Sequence, residues 1–568
     1  MLHFFDAEVF KHDWLFVLIN PFTRTETVIV NDPEKLRDYY ERFKGEIFVG
    51  YNCSNYDKYI LQGILAGFNP WEINEHIITK KLKGYQFSNV LREYPLITYD
   101  LLQLNTSLKQ LEAFQGHNVY ESEVDFRLDR PLTPAEIEDT IKYCRNDVEE
   151  TVNLFLQLKA DFDSQLELVT EFKLPLSDMG KTQSQLVATI LGAQRMDFKD
   201  EFELSFPPYL DRIKKYKHIV DWYRDRGNRS YDKSLKVEVA GVPHVYAWGG
   251  LHGAKPKYCG EGYYLHIDVN SYYPSLMLSH DYFSRTIPDK GKERFKMIYS
   301  ENLRLKKIPS MKKKRQAYKL VCNKTYGCFK DKYNALFDPL MSNNICVTGQ
   351  LALTLLIEML EPYVELIQSN TDGLIVKLPD LDTYEIVDDL AYEWEQLTGV
   401  KLGFDPIITK IYQKDVNNYL FVDEFGEVES KGAYVKKLSP LDNDLPIVNR
   451  AIREYMINGT AVETTINGAT ELVDFQKVVK LSSVYDFVRH NGRKYRNKCY
   501  RVFASKKASD GIIYKCRNGK SDKFANTPEK CFLENGDIKG VKIPPKLDKQ
   551  YYINLTKERL NQFGVNYG

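Results

Sequence analysis

Two acids, Asp268 and Asp372, end short apolar runs about 100 residues apart. Residues 263–267 are aromatic and β-branched and read as a buried strand that stops at Asp268. The chain then turns through Asn270 and Ser271 and begins a new element at Pro274. Ser369-Asn370-Thr371-Asp372-Gly373 lies between apolar runs at 363–367 and 374–376, the pattern of a hairpin with Asp372 at its tip. A carboxylate at a strand tip is a good ligand for a hard cation, and the turn after Asp268 offers the Val269 carbonyl as a further one. Two such tips side by side suit the paired divalent ions of phosphoryl transfer. A second group of acids lies near the N-terminus. Asp6 and Glu8 fall on one side of an extended strand, where they repel unless a cation lies between them. Asp57 follows the polar run Tyr51-Asn52-Cys53-Ser54-Asn55-Tyr56, and a helix expected over 137–158 puts Tyr143 and Asp147 on one face, with Thr133 as its cap.

Holding these groups requires several layers, and 568 residues suffice for several domains with ample core. Residues 1–165 alternate strand and helix patterns, an α/β layer. The nine Cys contain no C-x-x-C pair, which argues against a zinc or iron–sulfur module and for a reduced, cytoplasmic setting. The opening residues have no basic segment followed by an apolar one, and no stretch reads as a membrane span. No internal repeat or low-complexity tract is present. Net charge is +0, against a general polyanion binder, but the charges are segregated. Residues 477–523 are rich in Lys and Arg, including Arg489, Arg493, Lys494, Arg496 and Arg501, with Tyr495, Tyr500 and Phe503 interleaved. Lys306-Lys307 and Lys312-Lys313-Lys314-Arg315 form a second run. Both are expected to face phosphates.

The words around the acids carry a resemblance. Asp268-Val269-Asn270-Ser271-Tyr272-Tyr273-Pro274 resembles motif A of family B DNA polymerases, and Lys319-Leu320-Val321-Cys322-Asn323-Lys324-Thr325-Tyr326-Gly327 resembles motif B. Asp6-x-Glu8, Asn52-x-x-x-Tyr56-Asp57 and Tyr143-x-x-x-Asp147 resemble the three motifs of 3′–5′ proofreading exonucleases with four acids and a tyrosine. The resemblance implies an RNase H-like exonuclease domain and a right-hand polymerase of palm, fingers and thumb, an α/β and α+β multidomain chain. Asp6, Glu8, Asp57 and Asp147 would hold two metals, with Tyr143 orienting the attacking water. Asp268, Val269 and Asp372 would hold two more, Mg2+ in each centre with Mn2+ as a substitute. Tyr273 would exclude a 2′-hydroxyl. Lys319, Asn323 and Tyr326 would line the incoming nucleotide, with Arg304, Lys307 and Arg315 as further triphosphate contacts. Strand contacts would come from Asn52, from Ser107 and Leu108, from Tyr246, Gly249 and Gly250 in Tyr246-Ala247-Trp248-Gly249-Gly250, and from Lys431 and Tyr434 in Lys431-Gly432-Ala433-Tyr434.

The implied division is exonuclease 1–165, helical connector 166–235, palm 236–284, fingers 285–328 as a basic hairpin broken near Pro309, palm 329–440 and thumb 441–568. Two departures stand out. The third polymerase motif usually reads Asp-Thr-Asp-Ser but is Asn370-Thr371-Asp372-Gly373 here, and motif B has Lys324 where Ser is usual. About 50 residues separate Asp268 from Lys319 and about 45 separate Gly327 from Asp372, which leaves no room for the insertions that grip a terminal protein. The expected function is a phage-type replicase that extends an ordinary primer with deoxynucleotides and proofreads, in the host bacterial cytoplasm. Its partners would be primer-template DNA and replisome factors such as a helicase or single-strand-binding protein. The altered third motif also admits a nuclease whose polymerase half has decayed, and the basic runs alone admit a non-catalytic replisome scaffold.

Overall fold

The strand Leu2–Val9 buries residues on both faces, Phe4 and Phe5 in succession, as a central strand covered from both sides must. The computed structural model, which describes residues 1–102 and 106–567, places it in the middle of a five-stranded sheet. The order is Thr25–Val30, Trp14–Asn20, Leu2–Val9, Ile47–Gly50, Ile97–Asp100. The first three pair antiparallel and the last two run parallel to Leu2–Val9. The helix Pro134–Gln157 packs on Leu2–Val9 and Trp14–Asn20. It begins at Thr133, whose hydroxyl accepts from Glu136 N at 3.3 Å while Glu136 accepts from Thr133 N at 2.8 Å, a reciprocal cap at the expected position.

Residues 1–182 form one unit together with 438–446 and 470–551. The second unit comprises 183–437, 447–469 and 552–568. The stretch 441–568, expected as one thumb, is therefore divided, and the expected connector 166–235 straddles the boundary at 182. Within the first unit, 470–551 builds a three-stranded sheet of Lys477–Lys480, Cys499–Ala504 and Cys531–Leu533, and a four-stranded one of Arg493–Tyr495, Phe487–His490, Tyr514–Arg517 and Lys520–Lys523. Arg489, Arg493, Lys494 and Arg496 are exposed on it. Arg501, Tyr500 and Phe503 are not: all six residues of Cys499–Ala504 are buried. A central strand of a small sheet has both faces covered, so neither Arg501 nor these two rings can face phosphates or bases.

The second unit is organised on a ten-stranded sheet. Its path runs Val428–Lys431, Asn418–Asp423, Ile408–Asp415, Tyr258–Val269, Gly373–Leu378, Glu365–Asn370, His252–Ala254, Val242–Tyr246, Leu235–Val239, and Leu402–Phe404 also pairs with Tyr258–Val269. The same unit holds Pro339–Leu360, packed on the helices Tyr272–His280 and Thr383–Thr398, a helix long and apolar enough to cross a membrane but with 94% of its apolar window buried. Length and composition alone pass the membrane test at a place where no span was read from the sequence. Two further helices, Asp289–Lys306 and Lys312–Gly327, pack on each other with a turn at Pro309–Met311, the break expected there.

Candidate metal centres

In the first unit the Leu2–Val9 strand presents Asp6 and Glu8 from one face. Asp57, the first residue of the helix Asp57–Leu65, accepts a hydrogen bond from Ala7 N at 3.1 Å, so it is tied to the backbone between them. Asp147 comes from Pro134–Gln157, as does Cys144, whose thiol donates to Asp6 Oδ2 at 3.6 Å. One carboxylate oxygen each of Asp6 and Glu8 and the Cys144 sulfur lie within 4.8 Å of one another. Burial raises Asp6 and Glu8 well above the usual carboxylate range, and the neighbouring acids add to the shift. Burial likewise pushes Asp57 up to about 7. Burial also raises the Cys144 thiol, which makes it a donor to Asp6 and not a ligand.

Two residues of this centre escape sequence reasoning. The helix Leu108–Phe114 carries Lys109, whose ammonium pairs with Asp147 and with Glu112 Oε1 at 2.9 Å and lies 4.8 Å from the Tyr143 ring centroid. Burial opposes the Lys109 charge, but Asp147 and Glu112 more than offset it. Glu112 is fully buried, and burial lifts it to about 8 although Lys109 opposes the shift. Tyr143 hydrogen-bonds Asp147. Ser107 closes the start of the helix in a reciprocal cap with Gln110, and Leu108 is half-buried beside it. Asn52 sits exposed in a left-handed turn (φ 64°) whose backbone N–H donates to Asp100 Oδ1 at 2.8 Å. The donor set, the buried carboxyls of Glu8, Asp57 and Asp147 with the half-buried Asp6, and the Lys109 ammonium on Asp147, fits hard divalent cations.

This arrangement has a measurable consequence. An acid whose folded pKa is raised costs nothing below its unfolded value and progressively more stability as pH climbs through the folded one. With Asp57 at about 7 and Glu112 at about 8, the metal-free first unit is expected to lose stability from roughly pH 4 to pH 8. Magnesium relieves the repulsion only where the acids are ionised. It should raise Tm more at about pH 8.5 than at about pH 6, by on the order of 5 °C. Thermal melts in EDTA and in magnesium check this, with Asp6→Asn as the control that shrinks the difference; equal shifts at both pH values would refute it.

In the second unit, Asn370 pairs with Gly373, so Thr371 and Asp372 are the two residues of the hairpin turn. Gly373 in turn pairs with Asp268 on the neighbouring strand, and Val269 N donates to the Asp372 carbonyl at 2.7 Å. The two acids thus stand at adjacent strand tips. Burial raises Asp268 to about 6, with Asp372 the next cause. The same fit to a hard cation holds here: two carboxylates side by side, one already resisting ionisation.

The altered third motif has local reasons. A Cβ on Gly373 would come within 2.9 Å of the Ile267 carbonyl and 3.1 Å of His266 Nε2. His266, whose Nδ1 bonds Asp405 Oδ2 at 2.7 Å, occupies the space a serine would need. Asn370 accepts from Thr371 N at 2.9 Å and hydrogen-bonds His252. Gly250 lies against the same turn, where a Cβ would meet Thr371 Oγ1 at 2.6 Å; Gly249 faces open space. Tyr246 is fully buried and its hydroxyl bonds Thr354 Oγ1 at 2.8 Å, so the expected strand contact there is corrected to a core residue. The inward parity of Val242–Tyr246 explains the outcome.

Tyr273, on the helix Tyr272–His280, lies against Tyr326 with ring centroids 4.1 Å apart. Lys319 and Asn323 are exposed one turn apart on Lys312–Gly327, the helix that carries Tyr326. Lys312, Lys313, Lys314 and Arg315 crowd its first turn, where the helix dipole is already positive, an arrangement that favours an anion. Arg315 is half-buried with its Nε unpaired, and Lys307 is exposed. Arg304 is held by Glu301 of its own helix at 2.6 and 2.7 Å. Lys431 is exposed at the end of Val428–Lys431, and the Tyr434 ring is flanked by Lys414 at 5.3 Å and Arg559 at 4.1 Å.

No family model matches the chain, and no curated protein does. Among solved structures it is similar to the family B DNA polymerase of the hyperthermophilic archaeon Pyrobaculum calidifontis, with 14% identity and a TM-score of 0.45 over 100% of this chain and 78% of that one.

Proposed function

We propose that the chain is a template-directed DNA polymerase that extends a primer 3′ end with deoxynucleotides and carries a separate 3′–5′ proofreading exonuclease centre. The observation that carries the reading is the Val269 N–Asp372 O bond, which sets the acids of two sequence-distant motifs side by side. The Tyr273–Tyr326 contact supports it by joining the helix after Asp268 to the helix of Lys319 and Asn323. Divalent ions bound at such carboxylates, Mg2+ or Mn2+, activate a hydroxyl nucleophile and neutralise phosphate charge. Lys319 and the cations at 312–315 suit the triphosphate, and the second unit with its helical pair answers to palm and fingers. The strand order in the first unit, antiparallel flank then parallel continuation, suits an RNase H-like exonuclease, with Tyr143 beside Asp147 as the residue to orient water.

The test is extension of a labelled primer on a longer template with magnesium and deoxynucleotides. Shortening without extension, under magnesium or manganese, would overturn the polymerase reading. A sharper expectation concerns sugar choice. Tyr273 is half-buried and braced by Tyr326, so its ring cannot swing aside for a 2′-hydroxyl. Tyr273→Val should raise ribonucleotide use relative to deoxynucleotide use by roughly 100-fold. Competition between the two precursors checks it, and an unchanged ratio would remove Tyr273 from the nucleotide pocket.

A further inference from the structure

The Leu108–Phe114 helix brings Lys109 and Glu112 to Asp147, yet seven residues cannot hold a helix in place unaided. What fixes it comes from the far end of the sequence. Ala113 packs with Val119, Val478 and Cys499 in one buried cluster, with Phe114 against it. The Phe114 carbonyl accepts from Gln476 Nε2 at 3.0 Å and from Asn443 Nδ2 at 3.2 Å. Beyond the helix, Val119 N donates to Asn535 O at 2.8 Å and Ile538 N donates to Gly116 O at 2.9 Å.

Arg501 is the centre of this clamp. Its side chain is fully buried, and its guanidinium donates to three backbone carbonyls: Glu534 at 3.0 Å, Ala113 at 3.4 Å, and Gly536. Its own N–H donates to Asn535 Oδ1 at 3.0 Å, and Asn535 Nδ2 returns to Cys499 O at 3.0 Å. Carbonyls at the C-terminal end of a helix lack intrahelical donors, and a cation is favoured there. Burial is costly enough to push the guanidinium down to about 10, so this is an expensive way to fill a core. An apolar side chain would pack as well, but it would leave Glu534 O and Gly536 O without the Arg501 donor, and Ala113 O, which also accepts from Gly116 N at 3.1 Å, would lose its tie to them.

We propose that Arg501 is a positioning residue of the first carboxylate centre: it locks the end of the Leu108–Phe114 helix so that Lys109 and Glu112 meet Asp147, which makes 470–551 a working half of the exonuclease. The inference rests on the exonuclease reading above. It requires that loss of Arg501 disturbs strand cleavage and leaves primer extension, whose residues lie in the second unit, untouched.

Full-length Arg501→Met, Arg501→Lys and Gln476→Ala are compared with wild type and Asp6→Ala. Three quantities are measured: shortening of a single strand at saturating DNA, strand affinity in calcium, and primer extension. Arg501→Met should shorten the strand about 100-fold more slowly, since an ångström of misplacement costs that much. Affinity and extension should stay within about twofold of wild type. Arg501→Lys should recover part of the rate, and Gln476→Ala should lose about tenfold. Wild-type shortening by Arg501→Met and Gln476→Ala overturns the proposal. So does an equal loss of shortening and extension, which marks a general folding defect. Should Arg501→Met fail to fold, Gln476→Ala decides by the same criteria. If wild type does not shorten the strand, or Asp6→Ala shortens it equally fast, the exonuclease reading itself falls.

Discussion

Asp372→Asn should leave a primer unextended while the same protein still shortens it. The substitution keeps the size of the side chain, and the bond from Val269 N runs to the Asp372 backbone carbonyl, so the two strand tips stay together. What is lost is one of two acids. In a motif that kept its usual first aspartate, a neighbouring carboxylate could take over part of the charge. Here that position is Asn370, already engaged with Thr371 N and His252. Asp268 is left alone, and a cation worth several kcal/mol of transition-state stabilisation is lost or misplaced, which corresponds to about 1,000-fold or more in rate. Single-turnover extension with magnesium checks it. Extension within about tenfold of wild type would remove Asp372 from the reaction. A second readout is independent of rate. The charge on Asp372 is, after burial, the main cause of the raised pKa of Asp268, so the amide should let Asp268 fall back toward the ordinary range.

Local patterns made much of this legible from sequence. The alternation that put Asp6 and Glu8 on one strand face is a property of a few consecutive residues, as is the reciprocal cap at Thr133 and the break at Pro309. Asp372 was readable as a hairpin tip because apolar runs flank a short polar stretch, although the strands sit slightly differently, at Glu365–Asn370 and Gly373–Leu378. The misses share one cause, which is long-range burial. Arg501 reads as one base among many in a basic run, and only the carbonyls of Ala113, Glu534 and Gly536 make it internal. Tyr246 reads as part of a glycine-rich motif, but its outward or inward parity is set by the register of Val242–Tyr246 against Leu235–Val239. Lys109 and Glu112 had a faint signal, opposite charges three apart next to Ser107 and Leu108. Nothing local says that this pair closes on an aspartate 38 residues further along. The division of 441–568 between two units went unread for a related reason: the basic run at 477–523 falls inside the first-unit stretch 470–551, but nothing local says that the flanking segments 447–469 and 552–568 pack elsewhere.

Asp6→Ala should abolish strand shortening and leave extension at the wild-type rate. The usual objection to such a variant is that deleting a buried group damages the fold, and the electrostatics here argue the reverse. Asp6 is raised first by burial and then by the charges of Asp57 and Asp147, so the fold bears a cost for keeping it ionised. Removing it relieves the repulsion on Glu8, whose largest charge-based cause is Asp6 itself. In EDTA near pH 8 the variant should therefore melt at or above the wild-type temperature, the sign expected when a group with a raised folded pKa is deleted. The metal site fares differently. Glu8, Asp57 and Asp147 remain, but Lys109 already neutralises Asp147, which leaves too little charge to hold two divalent ions. The loss of shortening should reach about 1,000-fold. On the proposed reading extension depends on Asp268 and Asp372, which belong to the other unit, and offers an internal control in the same tube. A variant that is stabilised, silent in shortening and normal in extension is hard to explain by misfolding. A variant that still shortens primers would mean that the four acids of the first unit are a charged core without chemistry.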